Sequence, residues 1–141
     1  MIEVFVDGRA APKGSRIQGR TKSGHSFTRP ASKYEKPWTE AVKAQVQIAA
    51  RHQRLEPPYA LEMEFLIHAP RQKRYAWPTS ADLDKLERAV IDGAVQGGAM
   101  VDDRHVTALT STKRFAQKGE RPGVYLRISE DRKLQDRPVA A

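Results

Sequence analysis

Residues 82–106 read DLDKLERAVIDGAVQGGAMVDDRHV, and this segment carries the strongest structural signal in the chain. Its apolar side chains recur every three or four positions, at Leu83, Leu86, Val90 and Ala94. That spacing predicts the buried stripe of an amphipathic helix, and the pair Gly97-Gly98 predicts where the helix ends. One pair of carboxylates precedes the helix, and a second pair follows the turn after it.

Alternating apolar and polar residues predict strands on both sides of this helix. The first strand is marked by Ile2, Val4 and Val6, and the clearest one by Leu61, Met63, Phe65 and Ile67, closed by a structural His68. After the helix we expect a strand from Met100 to about Arg114, bent at Asp102-Asp103, and a last strand at Val124, Leu126 and Ile128.

Another helix is predicted to begin near Pro37 and to run to about Gln53. Its apolar stripe comprises Trp38, Ala41, Val42, Gln45, Ile48 and Ala49, and Trp38 is expected to belong to the core. The order of elements predicts an α+β fold, with a small mixed β-sheet and two main helices in one domain over residues 1–130. Residues 131–141 are charged and poor in apolar side chains, so we expect a flexible tail.

The composition favours a polyanionic partner. The chain of 141 residues has a formal net charge of +8, and 30% of its residues are charged. It contains no cysteine, which excludes disulfides and thiolate zinc sites and fits a reducing compartment. No apolar run is long enough for a membrane span, and the N-terminus lacks a signal-peptide core. The sequence therefore predicts a soluble, cytoplasmic protein.

A basic segment from Gly8 to Tyr34 contains no acidic residue. Its cations are Arg9, Lys13, Arg16, Arg20, Lys22, Arg29 and Lys33. Ser26-Phe27-Thr28 could form a short strand inside this loop. A solvated flexible loop is one interpretation, but like charges without counter-charges repel one another, which favours contact with phosphates. We assign Lys13, Arg16, Arg20 and Lys22 to nucleic-acid binding.

The connection from Ala69 to Ala81 is long for a compact domain, which is typical of a functional loop. Its cations Arg71, Lys73 and Arg74 lie next to the aromatic residues Tyr75 and Trp77. Interleaved cations and aromatic rings are typical of nucleic-acid contacts, in which the rings stack on bases. The alternative is that both rings only pin the loop to the core.

The acids before the helix predict a metal site. If Asp82-Leu83-Asp84 is extended, both carboxylates point to one side and can share one or two Mg²⁺ ions. Asp84, Arg88 and Asp92 lie four residues apart and should line one helix face. Arg88 can then either brace Asp84 or reach a phosphate, and the sequence does not choose between these roles.

The second pair, Asp102-Asp103, is adjacent, so on a strand only one of the two carboxylates faces the site, and periodicity does not select which. The alternative for all four acids is a helix cap and solvated surface charges. Two other kinds of site fit less well. The acids lack the ligand spacing of an EF-hand, and the sequence has no Gly-rich phosphate-binding loop. The histidines lack zinc spacing, and His105 alone is placed near the acids.

This pattern of acids resembles the RusA family of Holliday junction resolvases, the crossover junction endodeoxyribonucleases. The likeness runs without a gap over Asp82-Leu83-Asp84-x-Leu86-x-Arg88-Ala89, then Asp92, and then Asp102-Asp103-x-x-Val106. A weaker likeness covers most of the chain, with a first strand that leads to Pro12-Lys13-Gly14 and a basic loop followed by the helix after Tyr34.

The resemblance implies roles for individual residues. Asp82, Asp84 and Asp103 would be catalytic acids that bind Mg²⁺, or alternatively Mn²⁺, while Asp92, Asp102 and Lys85 would be supporting residues. Lys85 stands where the family commonly has asparagine. Arg88 stands where the family has a functional lysine, and a guanidinium keeps the charge for holding a phosphate but is ill suited to transfer a proton.

The function implied is that of a homodimeric, Mg²⁺-dependent endonuclease, of phage or prophage origin, that resolves four-way DNA junctions in recombination and repair. Two sites related by a twofold axis would nick two opposed strands. Two rivals remain open. One is a nuclease of the same fold with a different branched substrate, and the other is a branched-DNA-binding protein without turnover.

Overall fold

The computed structural model describes residues 1–14, 16–30 and 33–140, with residues 16–18 and 27–30 described by their backbone alone. The strands are β1 (Ile2–Asp7), β2 (Arg16–Arg20), β3 (Ser26–Pro30), β4 (Tyr59–Ile67), β5 (Val106–Phe115) and β6 (Gly123–Glu130). The helices are α1 (Glu35–Ala49), α2 (Leu83–Gln96) and the short α3 (Arg132–Gln135), with a 3₁₀ turn at Asp103–His105.

Four strands form one mixed sheet in the order β1-β6-β4-β5. β6 pairs antiparallel with both β1 and β4, whereas β4 and β5 are parallel and are connected through α2. β5 is therefore an edge strand. The predicted α+β class, with a mixed sheet and two main helices, is confirmed.

Both main helices cover one face of this sheet. The core joins Trp38 and Val42 of α1 and Leu86 and Val90 of α2 to inward residues of the strands, such as Phe65. The helices approach closely at Gly93, where an added Cβ would lie 2.5 Å from Cγ1 of Val42. The opposite face of the sheet carries exposed side chains, among them Glu62, Tyr125 and Arg127.

The buried stripe of α1 is narrower than predicted. Trp38, Val42 and Val46 are buried and lie four residues apart, but Ile48 is 64% exposed and Gln45 is also exposed. Ile48 follows Val46 by two positions, which places it on the opposite side of the helix. The assignment of Gln45 and Ile48 to the core was therefore wrong, whereas the core position of Trp38 is confirmed.

Part of the basic segment forms a hairpin rather than an irregular loop. Arg16–Arg20 pairs antiparallel with Ser26–Pro30. Between the strands, the amide of Thr21 donates to the carbonyl of His25 (2.9 Å), and Gly24 adopts a φ of +88°. The short strand suggested at Ser26–Thr28 is confirmed, and its partner β2 was missed.

The strand predicted from Met100 begins only at Val106. The Asp102 side chain accepts a hydrogen bond from the amide of Arg104 (2.9 Å) and closes the 3₁₀ turn before β5. Such a side-chain bond competes with the hydrogen-bond ladder of a strand, which explains the late start of β5. At the other end of β5, Arg114 pairs with Glu120 (2.7 Å), and this hydrogen bond lowers the pKa of Glu120 to about 2.

The segment expected to be a flexible tail starts with α3. Asp131 caps this helix through the amide of Leu134, and Gln135 donates a hydrogen bond to the carbonyl of Glu56 (3.0 Å). These contacts tie the chain back to the turn before β4. Within the described residues, no helix is long and apolar enough to cross a membrane.

Candidate active site

Asp82 and Asp84 flank the first residue of α2. Asp82 is the extended N-cap (φ −72°, ψ 138°), and its carbonyl accepts the first helical bond from Leu86 (3.1 Å), while its side chain makes no capping bond. Leu83 and Asp84 are already helical, and only Asp82 is extended. The prediction that both carboxylates point to one side assumed that all three residues are extended, so the structure does not meet that condition. Both carboxylates are exposed.

A cleft of about 430 Å³ runs between α2 and the start of β5. We call it the acidic cleft, and the charged residues that line it are Asp84, Glu87, Arg88, Asp92 and Asp103. The prediction that Asp84, Arg88 and Asp92 share one helix face is thereby confirmed. Asp82 and Asp102 lie outside the lining of this cleft.

The carboxyl groups of Asp102 and Asp103 lie close to each other, and this contact shifts their pKa values in opposite directions. The backbone amide of Arg104 and this contact lower the pKa of Asp102. The same contact raises the pKa of Asp103, and the negative charges of Asp102 and Asp92 add to the effect. The raised pKa of Asp103 reflects the negative charge of the neighbouring carboxylates Asp102 and Asp92.

Lys13 has a role that the sequence did not reveal. Its ammonium group forms an ion pair with Asp92, and its amide donates to the carbonyl of Lys85 (3.1 Å). The segment Pro12-Lys13-Gly14 is thereby fastened to α2. Lys13 was predicted to contact phosphates, but in this structure its charge is directed at a carboxylate of the cleft.

Arg88 lies against Gly14, where an added Cβ would stand 2.9 Å from a guanidinium nitrogen of Arg88. Gly14 has a φ of +101°, so both its backbone and the space beside it favour glycine. Within the described part of the chain, Arg88 makes no ion pair with Asp84 or Asp92. Arg88 therefore does not brace Asp84 in this structure. Its exposed guanidinium can instead bind an anion.

The acids are divided between the two ends of the cleft. Asp84 and Asp92 are eight residues apart, which corresponds to about 12 Å along a helix. Asp103 lies near Asp92, and the other end of β5 reaches the start of α2, where Lys113 donates to the carbonyl of Ala81 (2.7 Å). In the residues described, no group of three or more histidine or acidic side chains lies close enough together to hold a metal ion by itself. All the available donors are carboxylate oxygens, the ligand type that suits Mg²⁺ and Mn²⁺.

The other predicted DNA-binding residues lie on two surfaces. Arg20 and Lys22 are exposed on the hairpin, and Arg71, Lys73 and Arg74 are exposed on the 69–81 connection. The side chain of Arg16 lies outside the described residues. The cations of the 69–81 connection precede Asp82 and Asp84 along the chain, where they can hold phosphates close to these carboxylates.

A protein-family model described as Endodeoxyribonuclease RusA matches residues 8–129. No curated protein matches the chain. The matched residues include the hairpin, both main helices and all the acids discussed above, and they leave out only short segments at the two ends. Because the match covers most of the sequence, this chain belongs to the RusA family of endodeoxyribonucleases.

Proposed function

We propose that this endonuclease is a homodimer that resolves four-way DNA junctions by paired nicks and requires a divalent metal ion. The observation that carries the proposal is the acidic cleft of a strongly basic chain, with Asp84 at one end and Asp103 at the other. Carboxylates among cations are suited to holding hard metal ions while the surrounding charges bind phosphates.

The residues proposed to hold the metal are Asp82, Asp84 and Asp103. The raised pKa of Asp103 supports this proposal, because a cation would relieve the repulsion among neighbouring carboxylates. With Mg²⁺ or Mn²⁺ held by these residues, the site would have a water of lowered pKa and a positive charge to offset the one that develops on the phosphate. Arg88, whose guanidinium is exposed along the same cleft, is positioned to stabilise that phosphate.

The division of the acids supports a dimer whose sites are shared between two chains. β5 is an edge strand, and Thr107, Ala108, Leu109 and Thr110 along it are exposed. Such an edge is open to pairing with another strand. Antiparallel pairing of two β5 strands about a twofold axis would bring Asp103 of one chain toward the Asp84 end of the other.

This arrangement also fits the substrate. A twofold dimer of this kind holds two equivalent sites, each with acids from both chains, and a four-way junction presents two strands of equivalent geometry. The basic residues of the hairpin and of the 69–81 connection would contact the arms through their phosphates. Asp92, Asp102 and Lys85 would support the acids, and Lys13 would limit the repulsion through its ion pair with Asp92.

A cleavage assay on a synthetic four-way junction tests the proposal. Wild-type protein should cut two opposed strands with Mg²⁺ and none with EDTA, and Asp84→Asn should lose cutting but still bind the junction. Glu40→Gln, which changes an exposed carboxylate on α1, is the matched control and should cut normally. Cutting without a metal ion, or by Asp84→Asn at the wild-type rate, would refute the proposed role of the cleft.

A further inference from the structure

A second cleft lies at the end of the sheet where β4 and β5 finish, opposite the end where β5 begins. Its volume is about 700 Å³, and it lies between the 69–81 connection, the turn after β1 and the last residues of β4 and β5. Its apolar surface comes from Ile67, Phe115 and Pro78, together with the rings of Tyr75 and Trp77. We call it the aromatic cleft.

Tyr75 and Trp77 stack on each other rather than on the core. Their ring centroids are 5.2 Å apart at an interplanar angle of 22°, and the residues are 46% and 59% exposed. The connection is anchored by the buried Pro78 instead. Both rings therefore lie outside the buried core. Exposed stacked rings in a cleft form a surface on which another flat ring can stack.

The charge around the aromatic cleft is positive. Arg9 and Arg74 line it, and the ammonium group of Lys73 lies 5.3 Å from the centre of the Phe115 ring. The acid at its margin, Asp7, is paired with Arg121 (2.9 Å). An apolar ligand that also carries negative charge would match both properties of this surface.

We propose that the aromatic cleft binds one unpaired base of branched DNA, stacked against Tyr75 and Trp77. The cations would hold the phosphates beside that base, and the polar groups of Gln72 and Ser80 at the cleft wall could hydrogen-bond to its edge. The connection runs directly into Asp82 and Asp84, so a base held here would place its strand beside the acids. This inference rests on the proposed junction-resolving function and adds the feature of the junction that is recognised.

Affinity measurements in EDTA test the inference without cleavage. The probes are a synthetic four-way junction, a duplex with one unpaired nucleotide and a fully paired duplex. Trp77→Ala should weaken binding of the first two by roughly five- to 150-fold, the loss expected for one stacked base. Binding of the paired duplex should change less than twofold. Trp77→Phe should retain most of the affinity, because it keeps a ring.

Tyr125→Ala is the matched control, because Tyr125 is 49% exposed on the opposite face of the sheet. Its affinity for all three probes should match that of the wild type. Fluorescence gives a second readout: the unpaired nucleotide should quench the emission of wild-type protein, and Trp77→Phe, which leaves only the buried Trp38, should show no quenching.

Equal losses on all three probes in Trp77→Ala, or no loss, would overturn the inference. Unchanged emission of wild-type protein on binding the unpaired nucleotide would also overturn it. A different result would refute the proposed function without refuting this inference. A protein that prefers the unpaired nucleotide through Trp77, but never cuts a four-way junction, would keep this binding site and refute junction resolution.

Discussion

The substitution Arg88→Ala should strongly lower the rate of junction cleavage while leaving the stability of the fold almost unchanged. Arg88 is exposed on the cleft side of α2, and in the described residues it has no ion pair with the acids four positions away. Removing its charge should therefore lower the single-turnover cleavage rate by about a hundredfold or more, the scale of one electrostatic contact in a transition state.

The free energy of unfolding should change by less than about 0.5 kcal/mol in the same variant, because an exposed side chain without a partner is lost. For a domain of this size, the melting temperature should shift by less than about 2 °C. Lys13→Ala offers a contrast, since it removes the ion pair with Asp92 and should cost up to about 1 kcal/mol. Arg88→Lys should keep most of the cleavage rate, because it retains the charge.

Cleavage rates and thermal melts of the same preparations check these expectations. Wild-type cleavage by Arg88→Ala would refute a phosphate-stabilising role for the guanidinium. A loss of stability well beyond that of Lys13→Ala would show that Arg88 braces the acids after all.

Three further outcomes are expected. Asp103→Asn should reduce cleavage far more than Asp102→Asn, since Asp103 lines the acidic cleft, and equal mild effects would remove this turn from the site. Neutralising Arg20 and Lys22 together should reduce the slope of log K against log salt by roughly 2, at about 0.9 per phosphate contact, and an unchanged slope would place the DNA elsewhere. Glu120 has a folded pKa of about 2 against an ordinary value of 4.5, so its stabilisation is present above pH 4.5 and is lost as the pH falls toward 2. The difference in stability between wild type and Glu120→Gln should therefore shrink over that range in pH-dependent melts, and a constant difference would contradict the ion pair.

The strongly periodic elements were predictable from the sequence. α2 ends at the glycine pair as predicted. β6 buries Val124, Leu126 and Ile128, and β4 buries the residues that marked it except Ile67, which is only partly buried. The shared face of Asp84, Arg88 and Asp92 follows from helical spacing alone. These features depend on local geometry, which the order of residues determines directly.

What the sequence did not reveal depends on contacts between distant residues. Nothing in the spacing of Lys13 and Asp92 indicates that they pair, although Pro12-Lys13-Gly14 was noted as part of the family likeness. The 3₁₀ turn depends on one side-chain bond of Asp102, which competes with an otherwise plausible strand. The separation of the acids along the cleft follows from the antiparallel course of α2 and β5, which becomes visible only in the folded chain.

Mixed dimers test the central claim, that each site draws acids from two chains. Asp84→Asn and Asp103→Asn should each be inactive alone on a four-way junction with Mg²⁺. A heterodimer of the two, isolated with a different affinity tag on each chain, should contain one intact site and one doubly altered site. We expect it to nick one strand of the junction without resolving it. Complete inactivity of the purified, junction-binding heterodimer would contradict shared sites, because each chain would then carry its own damaged set of acids.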